Sequence, residues 1–333
     1  MYKMDELIAG FTNQIKRAVS IGEASKLRKV KVPVRNILLS GLGGSGIGGT
    51  IIANILKDDL KVPVIINKDY HIPSFVDENS LVIVTSYSGN TEETISAMIQ
   101  AYKKGAHIVC ITSGGLVKEY AEIHSIDYVQ IDGGMPPRAC FALSFIQLLY
   151  VLYHLDLIGD GFKHSLSNTI TRLETEHEEI KILAKKYAEK LYGTIPVIYA
   201  DARFEGVAIR FRQQINENSK MLCWHHVVPE MNHNEIVGWT KSNEDISVIF
   251  LRNNTDFDRN QERMDFTKNV VEQYTSKVFD LYSKGDTDIE RSLYLVNVCD
   301  WISYYLAEIS HVDSIEIDVI NSLKNKLAEN PIH

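Results

Sequence analysis

The sequence predicts an α/β protein with two doubly wound, flavodoxin-like lobes, each built on a parallel sheet. Short apolar strands alternate with helical segments, and a second set of such segments follows in the same order. The chain has 333 residues, enough for two domains of ordinary size. We therefore expect a ligand cleft between the lobes, near the carboxyl ends of the strands.

The first lobe is predicted to span residues 1–158 and to begin with an amphipathic helix over 5–27. Its strands are predicted at 36–40, 62–67, 80–86, 107–112 and 127–130, with helices at 48–57 and 91–104. Residues 139–158, ACFALSFIQLLYVLYHLDLI, have about the length of a membrane span. Because Ser144, Gln147, His154 and Asp156 interrupt this segment, we predict a helix buried between layers and no membrane association.

The second lobe, residues 159–333, repeats the order of elements but not the residues. A long charged helix over 163–191 is predicted to link the lobes. Strands at 196–200, 246–251 and 277–282 then alternate with helices at 205–218 and 259–274, and helices at 288–311 and 315–328 end the chain. We interpret the repetition as a duplication of architecture.

Charge and cysteine content restrict the class of protein. The net charge of −8 leaves no basic surplus to neutralise a nucleic-acid backbone, so we expect no nucleic-acid partner. The four cysteines are far apart and form no Cys-x-x-Cys pair, as a reducing compartment permits. The first residues lack the unbroken apolar core of a signal peptide, and we predict a cytoplasmic location.

A glycine-rich loop, GLGGSGIGG, follows the first predicted strand and opens a helix. It matches the dinucleotide pattern at Gly41, Gly43 and Gly46, and Asp69 after the second strand is available for a ribose. No Lys-Ser or Lys-Thr follows the glycines, which excludes a Walker loop. This loop alone therefore leaves dinucleotide binding open.

A second loop, TSYSGNTEET, places three hydroxyl groups where another helix begins. Free N–H groups and the positive end of the helix dipole would favour a phosphate monoester there. As an alternative, Asn90 only caps the helix, with Glu93 making the reciprocal contact. We favour the phosphate site because the hydroxyl-rich turn faces the glycine loop. The predicted phosphate-binding residues are Gly43, Gly44, Ser45, Ser86, Ser88 and Thr91.

Together with both loops, two further segments carry a resemblance to a known family: PPRACF at 136–141 and the stretch from Asn216 through PEMNHNEIVGW at 229–239. Over nearly the whole chain, the sequence resembles the bifunctional phosphoglucose/phosphomannose isomerases of the sugar-isomerase (SIS) domain superfamily. The resemblance implies two SIS-type lobes and interconversion of glucose 6-phosphate, mannose 6-phosphate and fructose 6-phosphate. It also implies a cis-enediol mechanism with neither metal nor cofactor, and a homodimer.

Moving a carbonyl between C1 and C2 needs a base, a ring-opening acid and a cation beside the enediolate. By resemblance, Glu217 is the base, His233 opens the ring from the partner subunit, and Arg138 stabilises the enediolate. The resemblance also implies a catalytic lysine in the final helix, for which we choose Lys324, with Lys326 the alternative. In isolation these residues are also compatible with an exposed acid, a surface histidine, a structural arginine and a solvated lysine.

Other interpretations remain. Mannose activity is associated with a hydroxyl before the family lysine, and here neither Ser314 nor Ser322 falls clearly in place. His225, His226 and His233 lack the partner spacing of a metal site, so we predict no metal. A non-catalytic sugar-phosphate sensor of the same fold is the main alternative, and an NAD-dependent dehydrogenase is the third.

Overall fold

A computed structural model describes residues 3–329 of the chain. The elements of its first half are α1 (Met4–Ala9), α2 (Phe11–Ala24), β1 (Asn36–Ser40), α3 (Gly43–Ile55), β2 (Val64–Asn67), β3 (Ser80–Ser86), α4 (Glu92–Lys103), β4 (His107–Thr112), α5 (Gly115–Ile123), β5 (Asp127–Gln130) and α6 (Phe141–His154). All five strands are parallel, in the order β2-β1-β3-β4-β5. This sheet and its helices form the first lobe.

The second half has the same winding. Its elements are α7 (Gly161–Thr175), α8 (His177–Leu191), β6 (Ile195–Asp201), α9 (Glu205–Asn218), β7 (Trp224–Val228), β8 (Ile246–Arg252), α10 (Asp258–Val271), β9 (Val278–Tyr282), α11 (Asp288–Ile309) and α12 (Asp318–Ala328). The parallel sheet has the order β7-β6-β8-β9, which matches β2-β1-β3-β4 of the first lobe. The predicted fold class, two doubly wound parallel sheets flanked by helices, is confirmed.

Helix α6 lies in the middle of the molecule. Every side chain from Phe141 to Leu152 is buried, and the helix packs against α2 and α3. The apolar segment is thus a buried helix, as predicted, and it ends at His154. In the part of the chain that the structure describes, no helix combines the length and the apolarity needed to cross a membrane.

The two lobes meet through α3 and α9, the helices that follow the central strands β1 and β6. A Cβ atom on Gly206 would lie 2.9 Å from the backbone nitrogen of Ile51, so the contact requires a glycine. The Gly206 amide also donates to Asn54 Oδ1 at 3.0 Å. This close packing holds the end of α3 against the beginning of α9.

Three helices differ most from their predicted extents. Helix α3 begins at Gly43 rather than at residue 48, because packing overrides the low helix propensity of its glycines. The N-terminal helix is interrupted at Gly10. The predicted linker helix is two helices separated by Glu176, whose carboxylate pairs with Arg172 and Lys284. The break allows both α7 and α8 to pack on α11.

Two elements were not predicted at all. Helix α5 follows a glycine pair, and Gly115 has a left-handed backbone with φ of +67°. Strand β7 is an edge strand with the polar sequence WHHVV, and its half-exposed residues hide the alternation typical of a strand. Strand β7 directly precedes the segment with His233, so that segment follows an ordered strand of the sheet.

Candidate active site

The loop after β1 folds directly into the first turn of α3. Gly43 has a left-handed backbone with φ of +53°, and a Cβ on Gly46 would lie 2.1 Å from the Gly41 carbonyl oxygen. The amides of Gly43 and Gly44 open the helix and have no intrahelical acceptor. The loop therefore presents N–H groups and a positive dipole end, both of which favour an anion.

The loop after β3 adds hydroxyl groups beside these amides. Ser86 Oγ donates to Thr91 Oγ1 at 3.1 Å, and Ser88 is exposed at the tip of the turn. Ser45 Oγ accepts from the Tyr87 amide at 3.0 Å and so joins the two loops. The structure thus brings together all six residues predicted to bind phosphate. We call residues 43–45 together with 86–91 the anion cradle.

Asn90 does not cap α4. Thr91 precedes the helix and makes no side-chain capping bond, while Asn90 Oδ1 accepts from the Leu116 amide at 3.1 Å. Asn90 therefore fastens the turn to the beginning of α5. The capping alternative raised by the sequence is wrong for this residue, and the amides that open α4 remain available.

Helix α12 covers one side of the anion cradle. Between them lies a cavity of about 500 Å³. The cavity is lined by Leu42, Ser88, Asn90, Thr91, Glu92, Glu93, Ile320, Leu323, Lys324, Leu327 and Ala328. Lys326 instead forms an ion pair with Glu329 at 2.7 Å. Of the two candidate lysines, the structure places Lys324 beside the cradle.

Arg138 is buried, with 3% of its surface exposed. Its N–H groups donate to acceptors in different parts of the chain. Its Nε donates to Asn218 Oδ1 at 2.7 Å, and its Nη2 donates to the carbonyls of Ser314 at 2.6 Å and Ile315 at 3.1 Å. Its Nη1 lies 3.5 Å from Glu217 Oε2. Burial lowers the pKa of the guanidinium, and the Glu217 carboxylate opposes that effect.

The backbone of Arg138 is also held in place. A Cβ on Gly44 would lie 3.0 Å from the Arg138 nitrogen and 3.1 Å from the Pro137 carbonyl carbon, so the cradle rests on the short 3-10 helix Pro137–Ala139. Arg210 Nη2 donates to the Arg138 carbonyl at 3.1 Å and to Asp300 Oδ2 at 2.6 Å. Removing one partner from such a buried ion pair typically costs about 3–5 kcal/mol.

Glu217 lies in the last turn of α9, and 28% of its side chain is exposed. Its neighbours fix this end of the helix: Asn218 Nδ2 donates to Ser303 Oγ at 2.9 Å, and Ser219 Oγ donates to the Ser303 carbonyl at 2.7 Å. The carboxylate therefore projects from a rigid position and remains accessible, as a general base requires.

His233 is not joined to these groups within one protomer. It is exposed in a short 3-10 helix, Glu230–His233, that follows β7. Within residues 3–329 its ring makes no hydrogen bond and no ion pair. The structure of a single chain thus leaves the contribution of His233 from a partner subunit as a prediction.

The other histidines of this region form no metal site. His225 and His226 are neighbours on β7, where successive side chains point to opposite faces. Burial lowers the pKa of His225 to about 4, helped by the charge of Arg212. Among residues 3–329, no group of three or more His, Cys, Asp or Glu side chains is arranged to hold a metal ion.

The residues at the end of β2 differ from a dinucleotide site. The strand ends at Asn67, whose Nδ2 donates to Ser40 Oγ at 3.3 Å and to the Asp69 carbonyl at 3.0 Å. Asp69 is exposed, and its carboxylate accepts from the Tyr70 amide at 2.6 Å. The position that a ribose-binding acid would occupy at the strand end is therefore an amide.

Two residues that organise the site were not predicted from the sequence. Asn218 holds Arg138, and Lys220 donates to three backbone carbonyls around Glu217. Both belong to NENSK, the segment that also contains Glu217. Their proximity to a candidate base was a usable signal, but their partners come from distant parts of the chain.

Two family models match the chain: a SIS domain over residues 32–124, and the bacterial phospho-glucose isomerase C-terminal SIS domain over residues 180–327. A bifunctional phosphoglucose/phosphomannose isomerase of Caldicellulosiruptor bescii is 40% identical, covering 98% of this chain and 99% of the relative. One of Aquifex aeolicus is 33% identical over the same shares of both chains.

Solved structures share the fold at much lower identity. The C-terminal domain of glucosamine-fructose-6-phosphate aminotransferase from Francisella tularensis has a TM-score of 0.74 and 14% identity. The match covers 95% of this chain and 98% of that domain. At such identity the likeness describes the fold alone.

Proposed function

The chain belongs to the family of bifunctional phosphoglucose/phosphomannose isomerases, and we propose that the anion cradle, Arg138 and Glu217 form its active site. Its activity is that of an aldose–ketose isomerase. The relatives are named phosphoglucose/phosphomannose isomerases, and we propose that this chain interconverts glucose 6-phosphate, mannose 6-phosphate and fructose 6-phosphate.

One observation supports the site above all others. A buried guanidinium lies 3.5 Å from an accessible carboxylate, and the backbone that carries the guanidinium packs against the anion cradle. A sugar held by its phosphate in the cradle then extends toward Glu217 and Arg138. A base and a cation beside one bound substrate are what an enediolate intermediate requires.

The proposed reaction assigns one task to each group. Glu217 takes the proton from C2 of the open aldose and returns it to C1, while Arg138 stabilises the negative enediolate oxygen. The group that faces the intermediate is Nη1. The other two nitrogens, Nε and Nη2, already donate to Asn218 and to the carbonyls of Ser314 and Ile315. Because the enediolate is planar, return of the proton to either face of C2 gives glucose or mannose 6-phosphate.

The hydroxyl associated with mannose activity has no evident counterpart. Ser314 is buried and its carbonyl accepts from Arg138, and Ser322 is not among the residues that line the cavity. We propose that the route to mannose 6-phosphate depends on rotation about the C2–C3 bond in the intermediate rather than on a serine of α12.

The test is an NMR time course of EDTA-treated protein with fructose 6-phosphate in D₂O. We expect both aldose phosphates to appear with deuterium at C2. Glu217→Gln should reduce kcat by roughly 10²–10⁴-fold, since a positioned base typically contributes that much. Glu205→Gln, at the other end of α9, is the control.

Full turnover by Glu217→Gln would remove Glu217 from the mechanism. Binding of sugar phosphate by the wild-type protein, without any product, would instead select the non-catalytic sensor.

We further propose that the protein is a homodimer in which His233 opens the sugar ring in the partner's cleft. The segments before and after its 3-10 helix expose large apolar side chains, which a subunit contact would cover. Leu222 and Val237 are each 78% exposed, and Trp224 is 41% exposed.

Mixing two inactive variants tests this arrangement. Glu217→Gln and His233→Ala should each be inactive on a cyclic substrate. After subunit exchange, one cleft of each mixed dimer has both groups, so activity should return to about a quarter of the wild-type value. An inactive mixture whose subunits have exchanged would place His233 in its own chain's cleft.

A further inference from the structure

Four consecutive carbonyls in the connection between α11 and α12 are bound by two cations. Lys220 Nζ donates to the carbonyls of Asp313 at 2.7 Å and Glu316 at 2.8 Å. Arg138 Nη2 donates to the two carbonyls between them, those of Ser314 and Ile315. We call residues 313–316 the connecting segment.

Lys220 also binds the candidate base itself. Its third hydrogen bond, at 2.7 Å, goes to the carbonyl oxygen of Glu217, so all three ammonium protons are used. The residue lies two positions after the end of α9, in a left-handed conformation with φ of +56°. This conformation turns the chain so that the side chain reaches the connecting segment.

The connecting segment determines where α12 lies. Helix α12 begins at Asp318, two residues after the segment, and none of its residues is buried. Its contact with the anion cradle, through the cavity lined by Leu323 and Lys324, is therefore not supported by a core of its own. A helix with so little buried surface depends on the anchorage of its connection.

We propose that Lys220 is a positioning residue: it holds the connecting segment against the carbonyl of Glu217, so that α12 presents Lys324 to the anion cradle. The inference rests on the proposed function and adds a residue to it. Lys220 touches no substrate; it acts through Lys324.

Kinetics of single and double variants test the inference. Asparagine tolerates the left-handed conformation, so Lys220→Asn removes the ammonium with little backbone strain. We expect the KM for fructose 6-phosphate and the inhibition constant of inorganic phosphate to rise about 10-fold, because a charged contact to the phosphate is lost. Lys220→Arg should recover much of the loss.

The double variant distinguishes positioning from other roles. If Lys220 acts through Lys324, Lys220→Asn combined with Lys324→Met should be no worse than Lys324→Met alone, within about twofold. Lys277→Met is the matched control, because Lys277 also donates to a backbone carbonyl, that of Glu244, in the second lobe. It should leave both constants unchanged.

Two results would overturn the inference. Multiplicative losses in the double variant would mean that Lys220 acts independently of Lys324. A fall in Tm of Lys220→Asn with unchanged KM and phosphate inhibition would mean that it only stabilises the fold. Both results leave the proposed function intact as long as Glu217→Gln is inactive, so the two failures are distinguishable.

Discussion

The two lobes have the same topology but opposite chemistry at the carboxyl edges of their sheets. In the first lobe, the loops after β1 and β3 are rich in glycine and hydroxyl groups and form the anion cradle. In the second lobe, the equivalent loops after β6 and β8 carry carboxylates. Ligands of such folds generally bind at this point, where the winding direction reverses, so the difference separates the functions of the lobes.

In the second lobe, carboxylates accept hydrogen bonds from the backbone amides that an anion would need. Asp201 Oδ1 accepts from the Arg203 amide at 2.8 Å, and Asp256 Oδ2 accepts from the Asn253 amide at 3.1 Å. Arg203 is in turn paired with Asp288 at 2.8 Å and with Asp58. A cavity of about 590 Å³ lies among these residues. Its lining has four carboxylates and three cations, so it offers no cationic surplus to a phosphate.

Strand order alone therefore does not make a phosphate site. In the proposed site, the first lobe presents uncovered amides at the start of α3, whereas the second presents Glu217 at the far end of the equivalent helix, α9. Because α3 and α9 pack on each other, the two lobes bring the parts of the proposed site together.

The largest effect is expected when the first lobe is given the chemistry of the second. Ser88→Asp places a carboxylate where Ser88 Oγ now accepts from the Asn90 amide at 3.2 Å. Repulsion of the substrate phosphate should lower kcat/KM by at least about 100-fold. The control in the same steady-state assay is Ser88→Asn, because asparagine has the size of aspartate but no charge. Equal losses in both variants would show that size rather than charge is responsible.

A smaller loss is expected where the cradle rests on Arg138. Gly44→Ala places a methyl group 3.0 Å from the Arg138 nitrogen, so the short helix must shift by a few tenths of an ångström. We expect kcat to fall roughly 10- to 100-fold, because Arg138 is displaced relative to Glu217. Gly48→Ala makes only ordinary contacts, at 3.4 Å or more, and should be nearly neutral. An unchanged kcat for Gly44→Ala would separate the cradle from Arg138.

The smallest effect concerns the second lobe and leaves activity unchanged. Burial, with Asp201 and Asp288 nearby, raises the pKa of Asp256 to about 7. The unfolded value is about 3.9, so the folded state binds more protons between these values and the free energy of unfolding falls as pH rises toward 7. Asp256→Asn should remove this loss and stabilise the protein by roughly 2 kcal/mol or more at pH 8.

Thermal unfolding from pH 5 to pH 8 measures the effect. The Tm of Asp256→Asn should exceed that of the wild type increasingly as pH rises, while Asp258→Asn, an exposed neighbour, should follow the wild type. Parallel curves for Asp256→Asn and the wild type would contradict the raised pKa. A loss of kcat would show that the second cavity takes part in catalysis.

Much of the first lobe was predictable because its signals are local. Strands such as β3 and β4 are continuous apolar runs, and the glycines and hydroxyls of the cradle follow them directly in the chain. The catalytic roles of Glu217 and Arg138 came only from the resemblance, and they stay predictions. Edge strand β7 was missed because its polar sequence has no strand pattern.

By itself, the sequence determined the fold class, the family and the types of group available, since periodicity and loop composition act over a few residues. The tertiary structure decided which of these groups meet. Arg138 lies beside Glu217, Lys324 rather than Lys326 faces the cradle, and Lys220 binds a segment more than 90 residues away in the chain. Such contacts depend on how helices pack, and packing depends on residues distant in the chain.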